Sequence, residues 1–278
     1  MASWFITGAS SGFGLGLTRQ LLARGDRVAA TVRNPQSLEA LKAQHGQALR
    51  IYTLDVTDDA AVARVITEAF SELGRIDVVV SNAAYGLFGA GEEVSDAQIR
   101  KQIDTNLVGS MQVIRAALPH LRAQGGGRIL QLSSEGGQIA YPNFGVYHAS
   151  KWGIEGFVET VAQEVAPFGI QMTLIEPGPT ATGFGGALDQ ADALPAYADT
   201  PSGAIRSALF GANAGGFSID GDVEKMVTAI IACADAAVAP RRLLLGSSAY
   251  TRVHAALRER LAELEANRSI TCAMDLDN

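Results

Sequence analysis

The chain has 278 residues, of which 47% are hydrophobic and 18% charged, and its net charge is −7. That apolar content fills the core of one large α/β domain and excludes a disordered chain. The acidic balance excludes a broad nucleic-acid or anionic-membrane surface but leaves room for a small anion pocket. Cys233 and Cys272 form no CxxC pair, and the four histidines lack HExxH spacing, so no metal site is expected. The N-terminal stretch MASWFITGAS has no basic region followed by an apolar run. No segment reaches the roughly 20 apolar residues that span a bilayer. A soluble, cytoplasmic protein without a membrane partner is expected.

Short apolar runs and longer amphipathic segments alternate along the chain. SWFIT (3–7) reads as a first strand and residues 13–24 as a helix. RVAATV (27–32), a helix over 36–45, LRIYTL (49–54), a helix over 59–73 and IDVVVS (76–81) follow. A long helix over 96–123, the strand GRILQLS (127–133), a helix over 146–167 and the strand IQMTLIE (170–176) come next. The chain closes with helix 222–235, strand RRLLLG (241–246) and helix 248–266. Strand–helix alternation without hairpin signals predicts an α/β fold. It is a doubly wound parallel sheet of about seven strands with helices on both faces. One segment breaks the pattern. Residues 183–221 are rich in Gly, Ala and Asp and show no strand signal. So long a loop in a compact domain reads as a mobile flap over the site with one or two short helices. Without repeats or linkers, residues 1–278 read as a single domain, with 247–278 as a C-terminal helical extension.

TGASSGFG (7–14) ends the first strand and opens the first helix. Gly8, Gly12 and Gly14 allow a tight turn and close backbone approach, and the helix N-terminus offers free N–H groups to a pyrophosphate. Strand before and helix after are the context this motif needs, and they make the fold Rossmann-type. Gly8 to Gly12 also fits G-x-S-x-G, the nucleophile elbow of α/β-hydrolases. That elbow needs several preceding strands and a later acid and histidine in post-strand loops, which this sequence does not offer. A NAD-binding fold usually ends its second strand with an acid that holds the ribose hydroxyls. Here the strand ends AATVRNP, with Arg33 where the acid would stand. A guanidinium pairs with a 2′-phosphate that a carboxylate would repel, so NADP(H) is the expected cofactor.

YHASK (147–151) places Tyr147 and Lys151 four residues apart, on one helix face. The ammonium then favours phenolate, and a tyrosine tuned towards neutral pH exchanges a proton with a carbonyl or alcohol oxygen. Ser134, 13 residues before Tyr147 at the end of the strand in LQLSSEGG, is placed to hold the same oxygen. Ser133 is the competing assignment, one residue closer to the strand and expected to point elsewhere.

T-G-x-x-x-G-x-G, N-A-A-Y-G, Ser then Y-x-x-x-K, and P-G with a following Thr all occur in order over residues 3–182. Together they resemble the short-chain dehydrogenase/reductase family. The resemblance implies that Tyr147 is the acid/base and Ser134 the hydroxyl that steadies the substrate oxygen. It implies that Lys151 binds the nicotinamide ribose and lowers the tyrosine pKa, and that Asn106 in DTNLVG holds a water linking Lys151 to solvent. It also implies a cofactor cleft lined by Gly8, Ser10, Ser11, Gly12, Phe13, Gly14 and Arg33, with Asp55 and Val56 near the adenine. Asn82, Ala83 and Ala84 would border the adenosine ribose, and Pro177, Gly178, Thr180 and Thr182 would cup the nicotinamide. Ala84 departs from the family's glycine and loses freedom at positive φ. Tetrameric members often end soon after the last strand, and the extra helix here would cover that surface. A homodimer through the helices at 96–123 and 146–167 is expected instead.

These readings converge on an NADP(H)-dependent oxidoreductase interconverting a ketone or aldehyde and an alcohol. The alternative is a non-catalytic NADP(H)-binding redox sensor or scaffold, and an epimerase or dehydratase on the extended fold is a weaker third. AATVRNP resembles family members acting on hydroxysteroids, retinoids and other hydrophobic ketones. Ile139, Tyr141, Phe144, Phe184, Leu188, Leu194, Tyr197, Leu209 and Phe210 are the candidate lining of an apolar substrate pocket.

Overall fold

The structure is a computed structural model that describes residues 1–211 and 219–276. The chain runs β1 (Ser3–Ile6), α1 (Gly12–Ala23), β2 (Arg27–Val32), α2 (Glu39–His45), β3 (Leu49–Thr53) and α3 (Asp59–Leu73). It continues through β4 (Val78–Ser81), β5 (Leu87–Phe88), α4 (Asp96–Ile103), α5 (Gly109–Ala123), β6 (Gly127–Leu132), α6 (Gly145–Val165) and β7 (Ile170–Pro177). Then come β8 (Asp189–Gln190), α7 (Pro201–Phe210), α8 (Val223–Asp235), β9 (Arg242–Leu245), α9 (Ser247–Ala266) and α10 (Arg268–Cys272).

Seven strands form one parallel sheet in the order β3-β2-β1-β4-β6-β7-β9. The order reverses between β1 and β4, which opens a crevice at their carboxyl ends, where α/β folds place ligands. Side chains alternate across the sheet with period two. Phe5, Ala29, Val79 and Ile129 enter a core under α3, α5 and α6. Trp4, Ile6, Val28, Ala30, Val80 and Leu130 enter a second core under α1 and α8. Both faces are therefore dry, which is why the strands read as nearly unbroken apolar runs. The turns carry their own stop and start signals. Asp58 caps α3 by accepting from Ala61 N, and Ser95 and Gln98 form a reciprocal capping box at α4.

Two expectations change. The expected helix over 96–123 is interrupted by a π-helical turn, Asp104–Val108, between α4 and α5. Such turns insert a residue and re-aim the side chains around them, here Asn106. The flap over 183–221 is not strandless, because β8 pairs in parallel with β5. A run of two residues lies below what a periodicity signal detects. The flap's segment 212–218 and residues 277–278 of the C-terminal extension lie outside the described residues. The first turns of α9 bury Ala249 and Val253, and Ala249 packs against Gly178, so close that a Cβ there would stand 2.8 Å from Ala249 Cβ. Beyond them Leu257, Leu261 and Leu264 are exposed. Among the described residues, no helix is long and apolar enough to cross a membrane.

Candidate active site

The glycine turn sits against β4 through a set of short contacts. Gly8 and Gly12 adopt φ of +67° and +51°, conformations that favour glycine. A Cβ on Gly14 would stand 2.3 Å from Gly8 O and 2.7 Å from Asn82 Nδ2. Asn82 Nδ2 donates to Thr7 O at 2.8 Å and to Gly8 O at 3.1 Å, and Thr7 Oγ1 accepts from the Asn82 and Ala83 amides. Asn82 thus fixes the turn rather than standing free. Ser11 caps α1 without a side-chain hydrogen bond, which leaves first-turn N–H groups available to an anion. Ser10 and Ser11 are exposed beside them, and Phe13 is half-buried. Thr182 faces Gly12, 3.4 Å from where its Cβ would lie. Thr180 turns inward instead, donating to Gly178 O at 2.8 Å. Pro177 ends β7, and Gly178 N donates to Leu245 O at 2.9 Å.

Arg33 follows β2 and is exposed. Asp55 lies nearby after β3, accepting from Thr57 N at 3.0 Å and Thr57 Oγ1 at 2.7 Å. Those bonds hold its carboxyl below the ordinary range, and the Arg33 guanidinium adds to the effect. Val56 is buried against Gly109. Among the described residues Asn143 is the only non-glycine residue at positive φ, so Ala84 needs no glycine-like conformation. An anionic cofactor fits this half of the crevice on three counts. The turn lacks a Cβ at Gly8, Gly12 and Gly14, the first turn of α1 has no side-chain cap, and a guanidinium follows β2 where an NAD site carries an acid.

Tyr147, Lys151 and Glu155 line one face of α6, each nearly solvent-free. Ser134 stands beside the Tyr147 phenol, close enough to favour its ionised form, and Ser134 Oγ accepts from Gly136 N at 3.1 Å. Ser133 points away and donates to Glu155 Oε1 at 2.5 Å. Lys151 Nζ lies 5.6 Å from the centre of the Tyr147 ring and donates to Leu132 O at 2.9 Å. Asn106 is fully buried: Oδ1 accepts from Tyr85 N at 3.1 Å and Nδ2 donates to Tyr85 O at 2.8 Å. Its Nδ2 also reaches Ser150 Oγ at 3.4 Å, and that hydroxyl donates to Tyr147 O at 2.7 Å. Asn106 therefore ties the strand-end loop to α6.

One electrostatic expectation is corrected. The protein alone does not lower the Tyr147 pKa. Burial pushes the phenol up to about 12, the Ser134 hydrogen bond opposes this, and Glu135 and Glu155 add to the rise. Burial also draws Lys151 down to about 8, with Glu155 working against it. Desolvation is the largest cause for both groups because both are sealed from water.

Rings close the outer side. Phe88, Phe144 and Tyr147 form a cluster with Tyr141, Leu188, Ile205 and Leu209 packed on it. Phe184 lies 5.6 Å from Tyr147 and Phe210 5.1 Å from Phe88. Leu194 is exposed, and the Tyr197 hydroxyl donates to Glu92 at 2.9 Å, away from this cluster. Phe88 and Ile205 were not among the expected lining residues; Phe88 lies outside both expected lining segments, and Ile205 lies within the expected flap.

The lid residues are fastened by a buried carboxylate. Glu93 accepts from Ala90 N at 2.8 Å, from Leu194 N at 2.9 Å and from Arg206 of α7. The Arg206 guanidinium in turn covers the Phe88 ring at 5.3 Å. Asn143 Nδ2 adds a bond to Ser202 O at 2.9 Å. Glu93→Ala leaves Arg206 unpaired and frees α7. The expected result is a substrate KM raised by about tenfold with cofactor affinity unchanged, measured by steady-state kinetics and fluorescence titration.

The short chain dehydrogenase family profile matches residues 3–193. Oxidoreductase BOA17 of Botryotinia fuckeliana is 36% identical over 248 residues, 88% of this chain and 89% of that one. The crystal structure of a short-chain dehydrogenase from Streptomyces avermitilis superposes with a TM-score of 0.90 at 34% identity, covering 99% of this chain and 100% of that one. An alcohol dehydrogenase from the archaeon Thermococcus sibiricus, solved with 5-hydroxy-NADP, gives a TM-score of 0.72 at 26% identity, covering 88% and 96%. With the glycine turn, the Tyr147–Lys151 face and the sheet order all in place, the chain belongs to the short-chain dehydrogenase family and is an oxidoreductase that works with a nicotinamide cofactor.

Proposed function

We propose that the protein is an NADP(H)-dependent oxidoreductase that interconverts a ketone or aldehyde and an alcohol on an apolar substrate. The observation that carries this reading is Ser134 beside the Tyr147 phenol, where it favours ionisation, set against a ring-lined wall at the carboxyl end of the sheet. When bound, the nicotinamide supplies or accepts the hydride. Tyr147 gives its phenolic proton to the carbonyl oxygen in reduction and takes one from the alcohol in oxidation. Ser134 donates to the same oxygen and steadies its developing charge. Lys151, sealed at the base of the tyrosine, holds the nicotinamide ribose. Asn106 holds the Tyr85 loop and supports the proton path behind Lys151. The rings of Phe88, Phe144 and Phe184 favour an apolar body on the substrate.

Arg33 is assigned the 2′-phosphate of NADP(H), supported by its exposure at the end of β2 and the missing acid there. Asp55 and Val56 border the adenine, and Asn82, Ala83 and Ala84 the adenosine ribose. Gly8, Ser10, Ser11, Gly12, Phe13 and Gly14 approach the pyrophosphate. Pro177, Gly178 and Thr182 cup the nicotinamide, with Thr180 holding that segment's shape. The test is titration with NADPH and then NADH, following nicotinamide fluorescence. NADPH is expected to bind at least about tenfold tighter, or about 1.4 kcal/mol, and Arg33→Ala to erase the difference. Equal affinity in the unaltered protein overturns the phosphate assignment. Binding of neither cofactor overturns the enzyme reading.

A homodimer through α4, α5 and α6 belongs to the same proposal, supported by Val108 and Trp152, which are exposed on that side. A light-scattering mass of a tetramer would contradict it. The proposed compartment is the cytoplasm, where Cys233 and Cys272 remain thiols.

A further inference from the structure

Glu155 has no place in the proton path above, yet it is a buried carboxylate bonded on both oxygens beside it. It stands one turn beyond Lys151 and two beyond Tyr147 on the same face of α6. Its Oε1 accepts from Ser133 Oγ at 2.5 Å, and its Oε2 accepts from Arg242 Nη1 at 2.5 Å. The carboxylate also lies on the bare backbone of Gly137, where a Cβ would stand 1.7 Å from Oε1. Ser133 and Gly137 bracket the turn that presents Ser134, and Gly137 N donates to Ser134 O at 2.9 Å. One carboxylate therefore grips both ends of the turn carrying the hydroxyl that meets Tyr147.

We propose that Glu155 is a positioning residue: it fixes the Ser133–Gly137 turn so that Ser134 meets Tyr147, and it sets a carboxylate one helical turn from Lys151. This rests on the oxidoreductase reading for its consequence in turnover, but the two effects on structure and charge do not. Burial works against the Lys151 ammonium, and Glu155 is the charge that opposes it. The other charged and titratable groups around Glu155 are Arg242 on β9, Glu176 on β7, Glu159 and Tyr147 on α6, and Glu135 in the gripped turn. Arg242 also pairs with Glu159 at 2.7 Å and Glu176 at 2.5 Å, so Glu155→Gln leaves it with two carboxylates. The amide oxygen of glutamine still accepts from Ser133. That variant removes the charge and keeps the shape.

The experiment follows Lys151 by NMR in protein carrying [13Cε]lysine. The chain has only Lys42, Lys101, Lys151 and Lys225, and Lys151→Met identifies the signal. In Glu155→Gln, Lys151 is expected to lose its proton at least about one pH unit lower than in the unaltered protein, and kcat for ketone reduction to fall about tenfold. KM for NADPH and ketone should stay within about twofold, and Glu155→Asp should recover part of both losses. Ser133→Ala should lower kcat while leaving the Lys151 titration in place. An unchanged Lys151 titration in Glu155→Gln overturns the charge role. Full kcat in Ser133→Ala overturns the turn role. A kcat loss that only tracks a lower Tm, with Lys151 unmoved, reduces Glu155 to a structural residue and also overturns the proposal. The titration needs no turnover. A shifted Lys151 in a protein that reduces no ketone therefore rejects the reductase reading and leaves the hold on Lys151 standing.

Discussion

Tyr147→Phe is expected to lower kcat/KM for ketone reduction by about 10³, or about 4 kcal/mol, while leaving NADPH affinity within about twofold. The phenyl ring keeps its packing, because Tyr147 is buried among Phe144, Phe184 and Phe88 and loses only its oxygen. What disappears is the proton donor and the partner of the Ser134 hydroxyl. Steady-state rates and a fluorescence titration on the same preparation separate the two effects. The pH dependence has a defined sign. Burial pushes the phenol up to about 12 in the protein alone, so it is protonated at neutral pH and ready to act as an acid. Reduction should hold its rate through neutral pH and fall only as the phenol ionises. Alcohol oxidation needs phenolate and should climb about tenfold per pH unit while the pH stays below that pKa. Bound oxidised cofactor moves both limbs downward, because its positive ring favours phenolate.

Gly14→Ala should be the most damaging single methyl in the cofactor half of the crevice. The new Cβ would meet Gly8 O at 2.3 Å and Asn82 Nδ2 at 2.7 Å. Neither atom has freedom to retreat. Gly8 is held at φ +67°, and Asn82 is bonded to Thr7 O and Gly8 O. Overpacking of this kind costs about 1–3 kcal/mol, which lowers Tm by several degrees in a chain of this size. Displacing the turn also moves the N–H groups that face the pyrophosphate, so NADPH binding should weaken by about 100-fold or more, about 2.8 kcal/mol. Gly91→Ala is the control, since a Cβ there meets nothing within 4 Å. It should change neither Tm nor affinity. Thermal unfolding and fluorescence titration on both variants decide the matter.

The sheet was legible because each strand reports its own burial: VAATV and DVVVS are apolar on both faces, and only a doubly covered parallel sheet explains that. The glycine turn and the pair Tyr147 and Lys151 were legible because their spacing is local. Ser134 was separable from Ser133 by the pleat, which turns neighbouring residues to opposite sides, and Ser133 goes to Glu155. What stayed hidden depends on residues far apart in the chain. The β5–β8 pair joins runs of two residues separated by about a hundred positions, too short for any periodicity. Glu93 and Arg206 look like solvated charges until α7 folds over them. Arg242 reads as one of two arginines before an apolar strand, and only the fold gathers Glu155, Glu159 and Glu176 around it. The Tyr147 pKa was misjudged in sign for a related reason: a helix face shows which charge is near, but not how much water is excluded.

The proposed reaction is direct hydride exchange between a nicotinamide and a carbonyl carbon, with Tyr147 handling the proton. NADPH deuterated at C4 of the nicotinamide, in each of its two stereoisomers, supplies the most direct measurement when incubated with a panel of aryl and alicyclic ketones. The predicted result is alcohol carrying deuterium at the carbinol carbon from one stereoisomer only, with none formed by Tyr147→Phe. Alcohol without that deuterium, equal yield from Tyr147→Phe, or no alcohol from any ketone in protein saturated with NADPH would contradict the account.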